Sequence, residues 1–227
     1  MTDFDCIVSL TTWRGRIAHP DVCKAVYSII RQKTKYKFKI VLTLSEEEFP
    51  EHDIPETLAL LIDAGNIEII WTKDNLRAYK KYYYVHKKYP NAIIMTTDDD
   101  ILLSQNAVES MMDFYQEHKN CICAQHLHTF ETSDEQVAGW FRLYPPDSLL
   151  DIDKDFFIHC FNTIEDDVYN AILASLKHTK SVKTPFIVAQ EMRGSLQNCA
   201  FRNVYTKTDA HDYKRKLIYA LQEAGII

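Results

Sequence analysis

The sequence has 227 residues, with 26 basic and 32 acidic side chains and a formal net charge of −6 at pH 7. Compared with a typical domain of roughly 150 residues, this length predicts one sizeable domain and argues against two full ones. Hydrophobic residues make up 46% of the chain, and there are only 5 glycines and 7 prolines. This composition excludes disordered, collagen-like and disulfide-scaffold proteins. The net acidity also argues against a general nucleic-acid coat, which normally has a basic domain.

The amino-terminal segment and the cysteines together predict a cytoplasmic protein. The segment MTDFDCIVSL carries acids where a signal peptide has basic residues, and no apolar run approaches the roughly 18 residues that span a bilayer. The six cysteines include no C-x-x-C pair, and the closest pair, Cys121 and Cys123, lies in an apolar run. We therefore expect buried, reduced thiols rather than a metal or redox site.

Short apolar runs rich in β-branched residues alternate with stretches of helical period in the first part of the chain. This alternation is typical of a layered α/β sheet. Proline at the first turn marks two helix starts, at Pro20 and Pro55, and Pro90 ends a third helix. The predicted strands are 6–10, 38–44, 67–71, 92–95 and 121–125, and the later two predicted helices are 78–89 and 107–118.

Beyond Leu127 the regular alternation stops. The motifs Gly139-Trp140-Phe141 and Tyr144-Pro145-Pro146 suggest bends and aromatic packing, and only 167–176 and 209–224 have a helical pattern. We therefore expect a single domain, 1–227, with a nucleotide-type α/β half at 1–126 and an irregular half at 127–227.

Three consecutive aspartates, Asp98, Asp99 and Asp100, directly follow the apolar strand predicted at 92–95. Their like charges repel, so the triplet needs a compensating cation. Open α/β sheets bind ligands at the carboxyl ends of their strands, and carboxylates suit Mg²⁺ or Mn²⁺ together with substrate phosphates. The pattern indicates a metal–nucleotide site, although a solvated acidic turn that caps a helix has the same composition.

Several segments together resemble bacterial family-2-like glycosyltransferases of the GT-A fold, of the kind found in surface-polysaccharide loci. The resemblance covers most of the chain from Cys6 to about Leu176, and it implies a GT-A-like, Rossmann-type, mostly parallel sheet flanked by helices, with an irregular acceptor-side second half. The segments that carry it are 6–17, 27–32, 75–81, Tyr89-Pro90, 97–101, 139–146 and Glu165-Asp166-Asp167.

The resemblance also implies roles for the residues of the donor site. By position, Asp98-Asp99-Asp100 is similar to the D-x-D element, whose outer aspartates face the ribose and the divalent cation. Asp98 and Asp100 are thus implied to bind Mn²⁺ or Mg²⁺, with Asp100 as the principal ligand. Asp98 and Asp99 are implied to contact the sugar-nucleotide donor. Thr11 and Arg16 are implied to lie near the base or ribose, although Arg16 equally suits a surface position.

The predicted helix 78–89 carries four lysines among its tyrosines. Lys80 and Lys87, like Lys81 and Lys88, are seven residues apart and are predicted to form one stripe. Lysine with aromatic residues can bind single-stranded nucleic acid, but tyrosines at helical spacing usually pack against a sheet, and the net charge is negative. The resemblance instead implies that Lys80 or Lys81 approaches the donor phosphates at the helix start, with the other two lysines at the surface.

A second acidic group, Glu165-Asp166-Asp167, precedes the predicted helix 167–176. Acidic side chains in a first helical turn interact favourably with the helix dipole, so these three residues can have a purely structural role. A carboxylate there can also act as the general base that removes the proton from an acceptor hydroxyl. The resemblance implies that Asp166 or Asp167 is this base, with inversion at the sugar, and that 139–146 forms part of the acceptor wall.

Three histidines are further candidates for the site. His126 and His128 alternate along a predicted strand edge and can both face the crevice, although a structural role is open for each. His211 can complete a metal shell, but its acidic neighbours also suit a helix cap.

These patterns lead us to expect a metal-dependent, inverting glycosyltransferase that uses a nucleoside-diphosphate sugar and a glycan or lipid-linked glycan acceptor of a bacterial surface. No nucleic-acid partner is expected, and peripheral contact with the inner face of the cell membrane is left open. The alternatives are a nucleotidyltransferase or sugar-nucleotide hydrolase on a related fold, and a non-catalytic GT-A-like partner subunit.

Overall fold

The computed structural model describes residues 3–129, 136–161, 166–192 and 210–227, with side chains at 128–129, 136–137, 159–161 and 210–214 left out. A seven-stranded sheet forms the centre of this part of the chain. The first four strands of the sheet run parallel to one another. They are β1 (Cys6–Thr11), β2 (Phe38–Ser45), β3 (Glu68–Thr72) and β4 (Ile93–Thr96).

Helices connect these four strands, as the hydrophobic periodicity predicts. The connections are α1 (Pro20–Ile30), α2 (Glu56–Ala64) and a short 3₁₀ turn that leads into α3 (Lys80–Lys88). Pro20 stands at the first turn of α1, where a missing backbone N–H costs no hydrogen bond. The strand and helix bounds lie within two residues of the predicted ones for this region, because each apolar run has clear turn signals on both sides.

The later elements complete the sheet and cover it. The strands are β5 (Ile101–Leu103), β6 (Ile122–Thr129), β7 (Gln136–Tyr144), β8 (Ser181–Lys183) and β9 (Ala189–Glu191), and the helices are α4 (Ala107–Glu117), α5 (Lys154–Phe161), α6 (Asp166–Leu176) and α7 (Ala210–Glu223). The order in the main sheet is β3-β2-β1-β4-β7-β6-β8, while β5 and β9 form a separate two-stranded sheet. β7 is antiparallel to both of its neighbours.

The expectation of an irregular segment at 139–146 is wrong for its first part, since Gly139 to Tyr144 belong to β7. A local irregularity remains, because Trp140 has a φ of 62° and the pairing register shifts between Ala124 and His126 of β6. The aromatic residues that suggested a bend instead fill the space beside the sheet. Pro145 follows the strand directly and has no N–H for further pairing.

The sheet is buried on both faces, as a parallel α/β sheet requires. Along β1, Val8 and Leu10 pack into the apolar cluster that includes α1 and α4, while Ile7 packs into the cluster that includes α3 and α6. Tyr82 and Tyr83 of α3 are buried in the second cluster, which confirms that the tyrosines pack against the sheet. Across the described residues, no helix is both long and apolar enough to cross a membrane.

The described cysteines are free thiols. Cys6 and Cys123 are buried, and burial raises the pKa of each thiol to about 12. Cys23 and Cys121 are half-buried. Burial is thus confirmed for two of the six cysteines, and the side chains of Cys160 and Cys199 lie outside the described part of the chain.

Candidate functional site

The carboxyl ends of β1 and β4 lie side by side, because the two strands are parallel neighbours with Ser9 opposite Thr96. The chain that follows β1 therefore meets the aspartate triplet that follows β4. Thr12 Oγ1 donates a hydrogen bond to Asp99 Oδ2 over 2.6 Å. Arg16 bridges two aspartates, with Nη1 2.8 Å from Asp99 Oδ1 and Nη2 2.8 Å from Asp100 Oδ2. We call these four residues the Arg16 cluster.

The carboxylates of the Arg16 cluster are held where their charge is poorly solvated. Burial raises the pKa of Asp99 to about 6, even though Arg16 and the Thr12 hydroxyl act in the opposite direction. Burial and the neighbouring Asp98 charge also raise the pKa of Asp100. The ionised forms of both groups would therefore gain from a further positive charge.

A second group of charges, the Arg142 cluster, lies beside the first and contains Lys81, Asp98, Arg142, Asp166 and Asp167. Lys81 is fully buried at the start of α3, with Nζ 2.5 Å from Asp98 Oδ1 and 2.9 Å from Asp166 Oδ2. Burial opposes the charge of Lys81, but Asp166 and Asp98 outweigh it and raise its pKa. Lys81 thus joins the triplet to the first residue of α6.

Arg142 makes the other links of this cluster from the middle of β7. Its side chain is fully buried, and its guanidinium forms an ion pair with Asp167 and donates to the carbonyl of Ala138 over 2.9 Å. Its Nη2 lies 3.4 Å from Asp166 Oδ2 and 3.8 Å from Asp98 Oδ2. Burial opposes ionisation of Asp98, but Lys81 and Arg142 outweigh it and lower the pKa of this carboxyl. The ionised form of the Asp98 carboxyl is therefore stabilised by its two cationic partners.

The charges and the atoms of the two clusters fit a divalent cation. Five carboxylates, of Asp98, Asp99, Asp100, Asp166 and Asp167, meet three cations, which leaves a formal charge of −2. Carboxylate oxygens are the ligands that Mg²⁺ and Mn²⁺ prefer, and Mg²⁺ commonly binds through one or two carboxylates plus substrate phosphates. The described residues contain no group of three or more acidic, histidine or cysteine side chains placed to hold a metal alone. Asp98 and Asp100 could therefore hold a cation only together with further ligands, such as the oxygens of a phosphate.

Thr11 and Lys80, two of the residues implied as donor contacts, bind other parts of the protein instead of the triplet. Thr11 Oγ1 donates to the carbonyl of Thr43 in β2 over 2.6 Å, and it is the next residue, Thr12, that reaches the triplet. Lys80 Nζ lies 3.1 Å from Glu48 Oε2 and 3.2 Å from Asn75 Oδ1. Because burial is the main influence on Lys80, its pKa is lowered.

The predicted lysine stripe on α3 does not form one surface. Lys80 and Lys81 are buried beneath the crevice, whereas Lys87 and Lys88 are exposed and pair with Asp151 and Glu68. The expected surface position of the last two lysines is confirmed. Lys80 and Lys81 are the first two residues of α3, which packs against β1 and β2.

Of the three histidine candidates, the structure describes the side chain of His126. The His126 ring packs against Trp140 with centroids 4.0 Å apart, and its Nε2 lies 2.9 Å from the Gln125 side-chain nitrogen. The side chains of His128 and His211 lie outside the described part of the chain.

The aromatic residues of the segment 139–146, which the resemblance places in the acceptor wall, differ in burial. Phe141 and Tyr144 are buried in the core, whereas Trp140 is half-buried. A Cβ on Gly139 would stand 3.8 Å from Asp167 Oδ2, so the backbone of β7 passes close to this carboxylate. Sequence reasoning missed Thr12 and Arg142. The signal for Arg142 was a lone charged residue within the apolar run Gly139-Trp-Phe-Arg-Leu-Tyr144.

Comparisons with known proteins give information on the fold. No protein-family model matches the chain, and no curated protein is similar to it. Among solved structures, the chain is similar to residues 1–349 of S. aureus TarS in complex with UDP-GlcNAc, with 11% identity, a TM-score of 0.61, and coverage of 96% of this chain and 66% of that one. The same TarS segment in complex with UDP matches with 12% identity, a TM-score of 0.58, and coverage of 82% and 59%.

A mannosyltransferase from Pyrobaculum calidifontis, PcManGT, solved in complex with GDP-Man and Mn²⁺, is also similar. The identity is 11% and the TM-score 0.57, over 99% of this chain and 76% of that one. The chain thus spans about 59% of the length of the TarS segment that it matches in the UDP complex. At these identities the likeness shows the architecture, and this chain has the GT-A-like α/β fold of nucleotide-sugar glycosyltransferases.

Proposed function

We propose that this protein is a metal-dependent, inverting glycosyltransferase that moves a sugar from a nucleoside-diphosphate sugar to a hydroxyl of a bacterial surface glycan. The observation that carries the proposal is that the aspartate triplet 98–100 and the Asp166–Asp167 pair are joined by ion pairs near the carboxyl end of β4. Its support from outside the chain is that structures of the same fold hold UDP, UDP-GlcNAc, or GDP-Man with Mn²⁺.

In this proposal, residues 1–126 form the donor half and 127–227 the acceptor half of a single domain. Asp98 and Asp100 would hold the cation together with the diphosphate, and Arg16 is paired with Asp100. A divalent cation bound there would stabilise the negative charge that develops on the departing diphosphate. Lys81, already paired with Asp98, adds positive charge at the same point.

Transfer needs a base for the acceptor, and the two aspartates that begin α6 are the candidates. The base takes the proton of the acceptor hydroxyl while its oxygen forms a bond to the anomeric carbon, and the bond from that carbon to the diphosphate oxygen breaks with its electron pair. Attack from the face opposite the diphosphate inverts the anomeric configuration. Asp166 is 9% exposed and bound to two cations, whereas Asp167 is 27% exposed and lies beside the Gly139 backbone.

The first experiment measures donor binding. The melting temperature of the wild type is recorded with a panel of nucleoside diphosphates and nucleotide sugars, with Mn²⁺ or with a chelator, and compared with Asp100→Ala. We expect one nucleotide class to raise the melting temperature only with metal, and the shift to disappear in Asp100→Ala. A flat response to every nucleotide would favour a non-catalytic partner subunit.

The second experiment tests transfer with the donor found in the first. Asp166→Asn and Asp167→Asn are compared for sugar transfer to glycan acceptors, with NMR of the product anomer. We expect one variant to lose about 10²- to 10⁴-fold in kcat, which identifies the base, and the product to be inverted. Consumption of the nucleotide sugar without sugar transfer, at a rate unchanged in the double Asn variant, would favour a nucleotidyltransferase or a sugar-nucleotide hydrolase, since neither requires an acceptor base here.

A further inference from the structure

Arg142 is a charged residue in a place where the fold favours an apolar one. It lies in β7 between Phe141 and Leu143, which are both buried in the first apolar cluster, and its own side chain is fully buried. It stands opposite Thr96, the last residue of β4, so it is directly below the start of the aspartate triplet. The guanidinium is thus surrounded by protein at the floor of the crevice.

Three carboxylates from two distant segments share this one guanidinium. Asp167 pairs with Nη1, while Asp166 and Asp98 lie 3.4 and 3.8 Å from Nη2. Asp98 follows β4, and the other two aspartates begin α6. A planar guanidinium presents its donors in a fixed fork, so it determines directions as well as distances, which a lysine ammonium does not.

Stability alone does not account for this arrangement. Buried ion clusters are weak contributors to folding, and apolar residues of similar volume often stabilise a protein equally well or better. What the cluster does is hold Asp166 and Asp167 at fixed distances from Asp98 through shared cations, although these aspartates belong to different parts of the chain. Reaction rates depend steeply on such distances, because a displacement of about 1 Å can cost about 100-fold.

We propose that Arg142 is a positioning residue, which holds the Asp166–Asp167 pair in register with the donor-side Asp98. The inference rests on the proposed function, since it assigns these aspartates to the acceptor and the donor of the same reaction. Arg142 itself touches neither substrate, as its side chain is fully buried.

The test is Arg142→Lys, which keeps the positive charge and removes the fork. Arg31→Lys is the matched control, because Arg31 is an exposed arginine at the end of α1. We expect kcat of Arg142→Lys to fall about 10- to 100-fold, the donor KM to stay within about threefold, and the donor-induced rise in melting temperature to persist. The control should match the wild type in kcat, in donor KM and in the donor-induced rise in melting temperature.

Three other outcomes of these measurements would overturn the inference. An Arg142→Lys enzyme with wild-type kcat, or one in which donor KM rises and kcat does not change, would overturn it. A wild type that binds nucleotide but transfers no sugar would overturn the proposed function, and the positioning role with it.

If Arg142→Lys does not fold, a charge-balanced variant replaces it. Arg142→Met is combined with Asn at whichever of positions 166 and 167 tolerates Asn with measurable transfer, so that one charge of each sign is removed. This double variant should be at least about tenfold slower than the single Asn variant, with unchanged donor KM. Equal rates would show that Arg142 only balances charge, and the inference would be wrong.

Discussion

The two ion clusters at the end of β4 contain the same types of group but are built differently. The Arg16 cluster joins the loops after two adjacent parallel strands, and its carboxylates have raised pKa values. The Arg142 cluster joins α3, β4, β7 and α6, and in it the pKa of Asp98 is lowered. The difference lies in the number of cations, since two serve the Arg142 cluster and one serves the Arg16 cluster.

This contrast separates two uses of buried charge. The Arg16 cluster has carboxylates that remain short of positive charge, which suits groups that exchange partners when a cation and a diphosphate bind. The Arg142 cluster is internally paired, which suits groups that must stay ionised and in place. The following variants sharpen the contrast, from the largest expected effect to the smallest.

Removal of Arg142 should have the largest effect on folding. In Arg142→Met, three carboxylates lose a fully buried cation, and Lys81 alone remains to balance them. We expect the free energy of unfolding to fall by about 3–5 kcal/mol, as for other buried pairs that lose one partner. Urea denaturation at pH 7 measures this loss, and a change below about 1 kcal/mol would show that the cluster is open to water.

Removal of Arg16 should destabilise the protein less than removal of Arg142 does, and added metal should reverse part of this destabilisation. In Arg16→Met, we expect a loss of about 1–3 kcal/mol in the free energy of unfolding, because Asp99, with a pKa already near 6, can take up a proton instead. Millimolar Mn²⁺ should restore part of the loss by binding the vacated carboxylates.

The control for this variant is the same denaturation with chelator in place of Mn²⁺. If Mn²⁺ stabilises Arg16→Met no more than it stabilises the wild type, then Arg16 does not compete with a cation for Asp99 and Asp100.

The smallest effect on stability is expected for Glu68 of β3, which forms an ion cluster separate from the two described above. Glu68 forms ion pairs with Lys39 Nζ at 2.6 Å and Lys88 Nζ at 2.7 Å, and its carboxylate accepts a hydrogen bond from the Tyr89 hydroxyl over 2.7 Å. Burial opposes its ionisation, but these three partners outweigh burial and lower the pKa of Glu68 to about 2. A carboxyl whose pKa is lowered on folding adds stability above its unfolded pKa, and the addition is lost as the pH falls towards the folded one.

Glu68→Gln should therefore lower the free energy of unfolding by about 1 kcal/mol at pH 7, since its lysine partners are partly exposed. The difference between variant and wild type should shrink as the pH falls from about 5 towards 2. Urea denaturation over this pH range checks the trend, and transfer activity should not change. A difference that is constant with pH would exclude the ion pairs as its cause.

Local patterns in the sequence determined the first four strands and the helices between them. Apolar runs bounded by proline, glycine and polar residues predicted their places within two residues, and the fold class follows from the same alternation. The position of the aspartate triplet at a strand end was also a local property, because it directly follows β4. The acidic start of α6 was visible for the same reason.

Only the tertiary structure showed β7 and β8, the order of the strands and the partners of the charges. β7 was taken for a bent segment, and α5, β5, β8 and β9 were not predicted, because short or irregularly patterned elements become regular only when a distant strand or helix pairs with them. The buried positions of Lys80 and Lys81 likewise depend on the packing of α3 against β1 and β2.

The roles of Arg16 and Arg142 show the same division. Arg16 lies 84 residues from the Asp100 carboxylate that it binds, and Arg142 meets Asp98 only because β7 is added antiparallel beside β4. The sequence determined which charged residues the chain has and which of them end a strand or begin a helix. The strand order decided which charges meet, because an ion pair in a protein interior depends on distances across the fold that no local pattern records.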